Sequence, residues 1–213
     1  MIRKIITAIK RRYYNMVLRL RNPSVQLLGK GMLCNVRVFG GGHGNTIHIE
    51  AGASLTNCKI VFYKGNNNLL HIPPCCHLRD ITFYFEDDNN LIELGSYCTM
   101  EEGCQLKAIE GKRIILGEDC MFSNQISIRT SDHHSILDND GNRLNPGADV
   151  IIGSHVWIGY QSMILKGAVI PDNCVIGARS LLTSSLNINK NSIVAGSPAK
   201  ILKDDINWCR KRV

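Results

Sequence analysis

Two adjacent histidines, His133 and His134, stand between Asp132 and a tight-turn signal, Asp138-Asn139-Asp140-Gly141, with Arg143 and Asn145 following. An imidazole of unperturbed pKa about 6.5 can take a proton from a hydroxyl near neutral pH. Asp132 or Asp138 can orient such a ring, and these two with Arg143 and Asn145 are the candidates for contact with an acceptor. A loop carboxylate is as often a turn former, and an exposed histidine pair as often plain surface. Residue types alone leave both readings open.

The elements that must hold this pair are more regular. From Val150 to Ile201 an aliphatic residue returns every six positions, at Ile152, Ile158, Ile164, Ile170, Ile176, Leu182, Ile188 and Val194. Neither a helix nor a lone strand has that period. A parallel β-helix does: each rung is a short strand and a corner, three rungs close a turn, and stacked turns bury the inward side chains as ladders. The beat at Ile128 resumes only at Ile152, so residues of about 130–150 leave the coil as a protruding loop, and long loops on rigid scaffolds carry function. Upstream, GNTIHI, NNLLHI, NNLIEL and GKRIIL end on Ile49, Ile72, Leu94 and Leu116, which are 22 or 23 residues apart. These are wider turns of the same coil, each with a small corner excursion marked by Asn, Asp and Gly.

Three segments follow from this reading: residues 1–22, a coil over 23–202 and a cap over 203–213. In the first, Ile2, Ile5, Ile6, Ile9, Tyr13, Met16, Val17 and Leu20 share one helical face, basic residues fill the others, and Pro23 ends the pattern. Such a helix caps the open end of a solenoid or lies peripherally on an anionic membrane; capping is the preferred reading. The cap over 203–213 reads as a short helix.

Composition agrees. Hydrophobic residues make 44% of the chain and aromatics only 6%, which suits a narrow prism filled by Ile, Leu and Val. The formal charge of +7 favours acidic partners, and no nucleic-acid motif accompanies it. Nine cysteines, an odd number with no secretory signal before them, read as reduced core and corner residues of a cytoplasmic protein. No run approaches the roughly 20 apolar residues of a membrane span. His71-Ile-Pro-Pro-Cys-Cys-His77 has ligand-type residues without zinc spacing, so no metal is expected.

Residues 114–203 resemble the hexapeptide-repeat acyltransferases, nearest to the capsule and O-antigen polysaccharide O-acetyltransferases, the polysialic acid branch included. SDHHSILD with RLNP, VIIGSHVWIGYQSMILKGAVIPDNCVIGARSLLT, and VAGSPAKIL carry the likeness. The resemblance implies an all-β, left-handed parallel β-helix; period six alone does not set the hand. It further implies acetyl-CoA as co-substrate, a homotrimer, and a loop histidine as general base for direct attack of a sugar hydroxyl on the thioester. The family pattern S-D-x-H-S/P-I places that base at His134, whereas a 24-residue offset from Trp157 selects His133. Trp157, in V-W-I-G, precedes an inward Ile and should face outward into the cleft. Gly159, Gly177, Ala178 and Ser197 are candidates for the acetyl-CoA groove, and Arg179, Lys200 and Lys203 for its phosphates. The implied acceptor is a bacterial surface polysaccharide. A small-molecule acetyltransferase and a silent β-helix scaffold are the alternatives. Zinc carbonic anhydrases of the same coil need three converging histidines, and His133, His134 and His155 lack that spacing.

Overall fold

The computed structural model describes Leu18 and residues 23–212. The first coil holds β1 (Val25–Gly29), β2 (Met32–Cys34) and β3 (Arg37–Gly40). The second holds β4 (Asn45–Ile49), β5 (Ser54–Thr56) and β6 (Lys59–Tyr63). The third holds β7 (Leu69–Ile72), β8 (His77–Arg79) and β9 (Thr82–Glu86). Next come β10 (Leu91–Glu93), β11 (Thr99–Met100) and β12 (Gln105–Ile109), then β13 (Arg113–Leu116), β14 (Met121–Phe122) and β15 (Ser127–Arg129). Beyond the loop lie β16 (Val150–Ile152), β17 (Trp157–Ile158) and β18 (Met163–Ile164), then β19 (Val169–Ile170), β20 (Val175–Ile176) and β21 (Leu181–Leu182). A hairpin, β22 (Ile193–Gly196) and β23 (Ala199–Lys203), ends the coil.

First strands of successive coils pair in parallel as sheet 1, second strands as sheet 2 and third strands as sheet 3. The three sheets are the sides of a triangular prism. In β17, β18 and β19 the first residue is exposed and the second buried, so Ile158, Ile164 and Ile170 point inward, as the period requires. Each such side chain, fully buried, contributes about 1.5–3 kcal/mol relative to exposure. Most corners turn on one residue with positive φ, among them Asn57, Asp80, Gln125, Gln161 and Arg179 on the edge between sheets 2 and 3.

The wider coils have their own filling. Phe62 and Phe85 stack inside the prism at 5.0 Å. Where sheet 3 returns to sheet 1, buried Asn45, Asn68 and Asn90 form a ladder. Asn68 donates to Asn45 Oδ1 from its backbone N–H (2.9 Å) and from Nδ2 (3.1 Å). Asn90 repeats the pair on Asn68 Oδ1 at 2.8 and 2.9 Å. The expected excursions are therefore this ladder's corner, satisfied group by group.

At the start, Leu18 is helical and packs into the core cluster; the rest of the expected helix over 1–22 lies outside the described residues. Among those described, no helix is long and apolar enough to cross a membrane. At the end, the expected short helix is not formed, and residues 204–212 run as an irregular tail across sheet 2. Tertiary contacts outweigh helix formation there. Trp208 is 9% exposed, stacks on His155 at 4.1 Å and donates Nε1–H to the His155 carbonyl. Arg210 clasps Asp119 Oδ1 at 2.8 Å and donates to the carbonyls of Tyr97, Asp119 and Cys120.

Candidate active site

The loop leaves the prism between β15 and β16, at the corner where sheet 3 meets sheet 1. Plain coils place partners 18 residues apart, as Ser154 N and Asp172 Oδ1 show, whereas Arg113 and Asp149 pair across 36. Its root is rigid. Thr130 is fully buried and its hydroxyl accepts from the Ile109 N–H at 2.8 Å. Glu110, one coil below, accepts from Ser131 Oγ (2.5 Å), the Gly147 N–H (2.9 Å) and both terminal nitrogens of Arg143. Chiefly because of Arg143, and against its burial, the Glu110 carboxyl is lowered to about 2.

A second brace uses Lys166 and Asn145. Lys166 Nζ donates to Asp132 Oδ2 at 2.5 Å and to the Asn145 carbonyl at 2.9 Å. Asn145 Nδ2 donates to Asp132 Oδ2 and to the His134 carbonyl, while its Oδ1 accepts from the Ile136 N–H. The Lys166 contact first, then Asn145, holds the Asp132 carboxyl below the usual carboxylate range. Asp138 closes the turn by accepting from the side chain and backbone N–H of Asn142 and from the Asp140 N–H. Asp132, Asp138, Arg143 and Asn145, the sequence candidates for acceptor contact, are each engaged in building the loop.

The two histidines differ. His133 sits at φ +66°, with its N–H donating to Ser131 Oγ at 3.0 Å. Its Nδ1 lies 3.5 Å from Glu86 Oε2, and its ring packs 6.4 Å from that of Tyr84. Tyr84 donates its hydroxyl to the same Glu86 oxygen at 3.0 Å; burial, then Glu86, raises its pKa to about 12. The His134 ring is exposed, and the loop holds only its carbonyl. Below His133, the outward face of sheet 3 carries Tyr63 stacked on Tyr84 at 6.3 Å, with Lys107 Nζ 5.7 Å over Tyr84 and Arg129 in register with Lys107.

Trp157 lies on β17 in sheet 2, outward and 40% exposed, with its ring 6.0 Å from Trp208. In a triangular prism the corner between sheets 3 and 1 faces away from sheet 2. One chain therefore does not bring Trp157 to the histidine pair. The acetyl-CoA candidates gather instead on the edge between sheets 2 and 3 and on the final hairpin. A Cβ on Gly159 would come within 2.6 Å of the Ala178 nitrogen, so close coil stacking requires glycine there. Ala178, Arg179, Ser197, Lys200 and Lys203 are exposed along this strip, with Arg179 Nε held on Gln161 Oε1 at 3.0 Å. The sequence reading missed Tyr84, Glu86, Glu110 and Lys166; coil register is the only signal that places them.

The bacterial transferase hexapeptide family (six repeats) matches residues 149–184. The polysialic acid O-acetyltransferase of Neisseria meningitidis is 37% identical over 193 residues, spanning 80% of this chain and 88% of the relative. The galactoside O-acetyltransferase of Escherichia coli (strain K12) is 28% identical over 85% of this chain and 80% of that protein. Among solved structures, the polysialic acid O-acetyltransferase OatWY superposes with a TM-score of 0.82 at 30% identity, covering 89% of this chain and 92% of that one. With that superposition, the coil is the left-handed β-helix that the sequence motifs suggested.

Proposed function

Because this chain belongs to the hexapeptide-repeat acetyltransferases, we propose that it moves acetyl from acetyl-CoA to a sugar hydroxyl of a bacterial surface polysaccharide, capsule or O-antigen. A base on His133 or His134 takes the hydroxyl proton as the oxygen attacks the thioester carbonyl. The C–S bond then breaks, and CoA leaves with the proton returned by the imidazolium. No acyl-enzyme is required, so no cysteine serves as nucleophile. The observation that carries the reading is the His133–Glu86 pair at 3.5 Å. A carboxylate this close draws Nδ1 of the ring toward it and leaves the other ring nitrogen for the acceptor. This favours His133 over His134, reversing the order that the S-D-x-H-S/P-I pattern suggests.

The tyrosines and cations of sheet 3 beneath His133 support a glycan acceptor, since rings stack on sugar faces and Lys107 and Arg129 attract acidic groups. Placement of Trp157 on the side opposite the loop supports a homotrimer, in which a neighbour's Trp157 completes the cleft. Acetyl-CoA lies along the edge between sheets 2 and 3, its phosphates toward Arg179, Lys200 and Lys203. Nine free thiols support a reducing cytoplasmic setting, at the inner membrane face where residues 1–22 can meet lipid.

The test is release of CoA from acetyl-CoA, followed with a thiol reagent over a panel of acidic and neutral bacterial glycans. His133→Ala is expected to lose roughly 100-fold or more in kcat, and His134→Ala far less. If only His134→Ala loses activity, the base moves by one residue. No acceptor-dependent release with any glycan sinks the polysaccharide reading.

A further inference from the structure

A second group of chemistry-bearing side chains lies on the outward face of sheet 1, on the wider coils. His48 on β4 and His71 on β7 are register partners, and their rings stack at 5.0 Å with planes 17° apart. Glu50, just beyond β4, places Oε1 2.8 Å from His71 Nε2. Glu93 on β10, register partner of His71, places Oε1 3.0 Å from His71 Nδ1. One ligand atom each from His48, Glu50 and His71 lies within 4.8 Å of the others, and all three residues are half-buried. The stretch weighed in the sequence, His71 to His77, is by contrast split between two sheets, with His77 Nδ1 2.8 Å from Ser54 Oγ.

We propose that His48, Glu50 and His71 bind a divalent transition-metal cation of the Zn²⁺ type and so tie together two neighbouring coils. This departs from the expectation of no metal. Two imidazole nitrogens and one carboxylate oxygen are a donor set for borderline cations, whereas Mg²⁺ and Ca²⁺ take oxygen ligands. Donors about 2.0–2.1 Å from a tetrahedral Zn²⁺ lie about 3.3 Å apart. The 2.8 Å between Glu50 and His71 therefore has to open slightly, and the stacked His48 and His71 rings have to turn about Cβ–Cγ so that their nitrogens converge on the ion. Glu93 supplies the outer partner: by accepting from Nδ1–H it fixes the His71 ring and leaves Nε2 as the ligating atom. A proton shared between Nε2 and Glu50 leaves to solvent as the ion takes its place, and water fills the fourth position. His48 and His71 belong to the second and third coils, and the histidine loop follows the fifth, so this ion staples the coil and takes no part in acetyl transfer.

The test uses the full chain, stripped with a chelator and dialysed. Zn²⁺ is titrated by calorimetry and Co²⁺ by its visible d–d absorption, with one tetrahedral ion per chain expected. His48→Phe keeps the stacked ring and removes a ligand atom, while Glu50→Gln keeps the size and removes the charge. Each is expected to weaken binding roughly tenfold or more, with circular dichroism and CoA release unchanged. Zn²⁺ should raise the Tm of the wild type and not that of His48→Phe. Absence of binding below millimolar Zn²⁺ overturns the proposal and leaves His71 as an ion-pair partner of two carboxylates. Equal affinity in wild type and both variants also overturns it, because the ion then sits elsewhere.

Discussion

Glu110 accepts two hydrogen bonds from Arg143, at 2.6 and 3.0 Å, across 33 residues of sequence. That fork ties the far arm of the loop to the coil beneath it, and Ser131 and Gly147 add their bonds to the same carboxylate. Its pKa, lowered from 4.5 to about 2, makes the brace pH-dependent. A carboxyl with a depressed folded value stabilises fully above its unfolded pKa, and the contribution fades as pH falls toward the folded one. The loop is therefore expected to stay anchored above about pH 4.5 and to loosen between there and about pH 2. Glu110→Gln should remove that dependence and lower kcat roughly tenfold through misplacement of the histidines. Limited proteolysis of the loop against pH checks the first point. A variant cut with the wild-type pH profile would refute it.

The asparagine ladder offers a test of the fold away from the site. Removing the Asn68 side chain strips an acceptor from Asn90 and a donor from Asn45, all of them buried. Each buried group left unpaired costs about 1–3 kcal/mol, so Asn68→Ala should lose roughly 2–4 kcal/mol in urea unfolding. Asn68→Asp should lose more, because a buried carboxylate oxygen would then face Asn45 Oδ1 and the Asp87 carbonyl, to which Nδ2 now donates. A loss no larger for Asp than for Ala would contradict the hydrogen-bond account.

The cysteines separate by exposure. Cys58, Cys76, Cys98, Cys104, Cys120 and Cys174 are buried, and Cys34 and Cys209 are exposed. Cys76, Cys98 and Cys120 each donate to the carbonyl of Gly95, Gly117 or Gly153 in the next coil. Burial pushes Cys58 and Cys104 up to about 11, so neither of these two thiols is ionised near neutral pH. An alkylating reagent on the folded chain should label Cys34 and Cys209 first, and Cys34→Ser with Cys209→Ser should leave CoA release unchanged. Loss of activity on replacing any buried cysteine, with folding intact, would reopen a covalent route.

Much of the coil was legible because its physics is local. An inward Ile158 or Ile170 must recur every six residues for the prism to close, and the interruption after Ile128 marks the loop. Six of the cysteines fall in the core as expected, whereas Cys34 on β2 and Cys209 in the tail are exposed. What holds the histidines did not read, because Glu86, Glu110 and Lys166 reach them through coil register, which no local pattern encodes. The tail failed for a related reason. Trp208 meets His155 across 53 residues, and only the stacked coils show that pairing. Many corners with positive φ carry Asn or Asp, as at Asn57 and Asp80, but at His155 and Arg179 no turn-type residue marks the corner.

The closing hairpin has a consequence for self-association. A stack of parallel strands ends in open edges, and such edges template further strands from other molecules. Here β23 runs antiparallel to β22, with Val194 opposite Ile201 and Gly196 opposite Ala199. A strand added to sheet 2 at this end would meet the wrong polarity for another coil, while sheets 1 and 3 stop at β19 and β21. On sheet 2 the reversal therefore offers an incoming coil a terminal strand of the wrong polarity, which disfavours end-to-end growth through this edge.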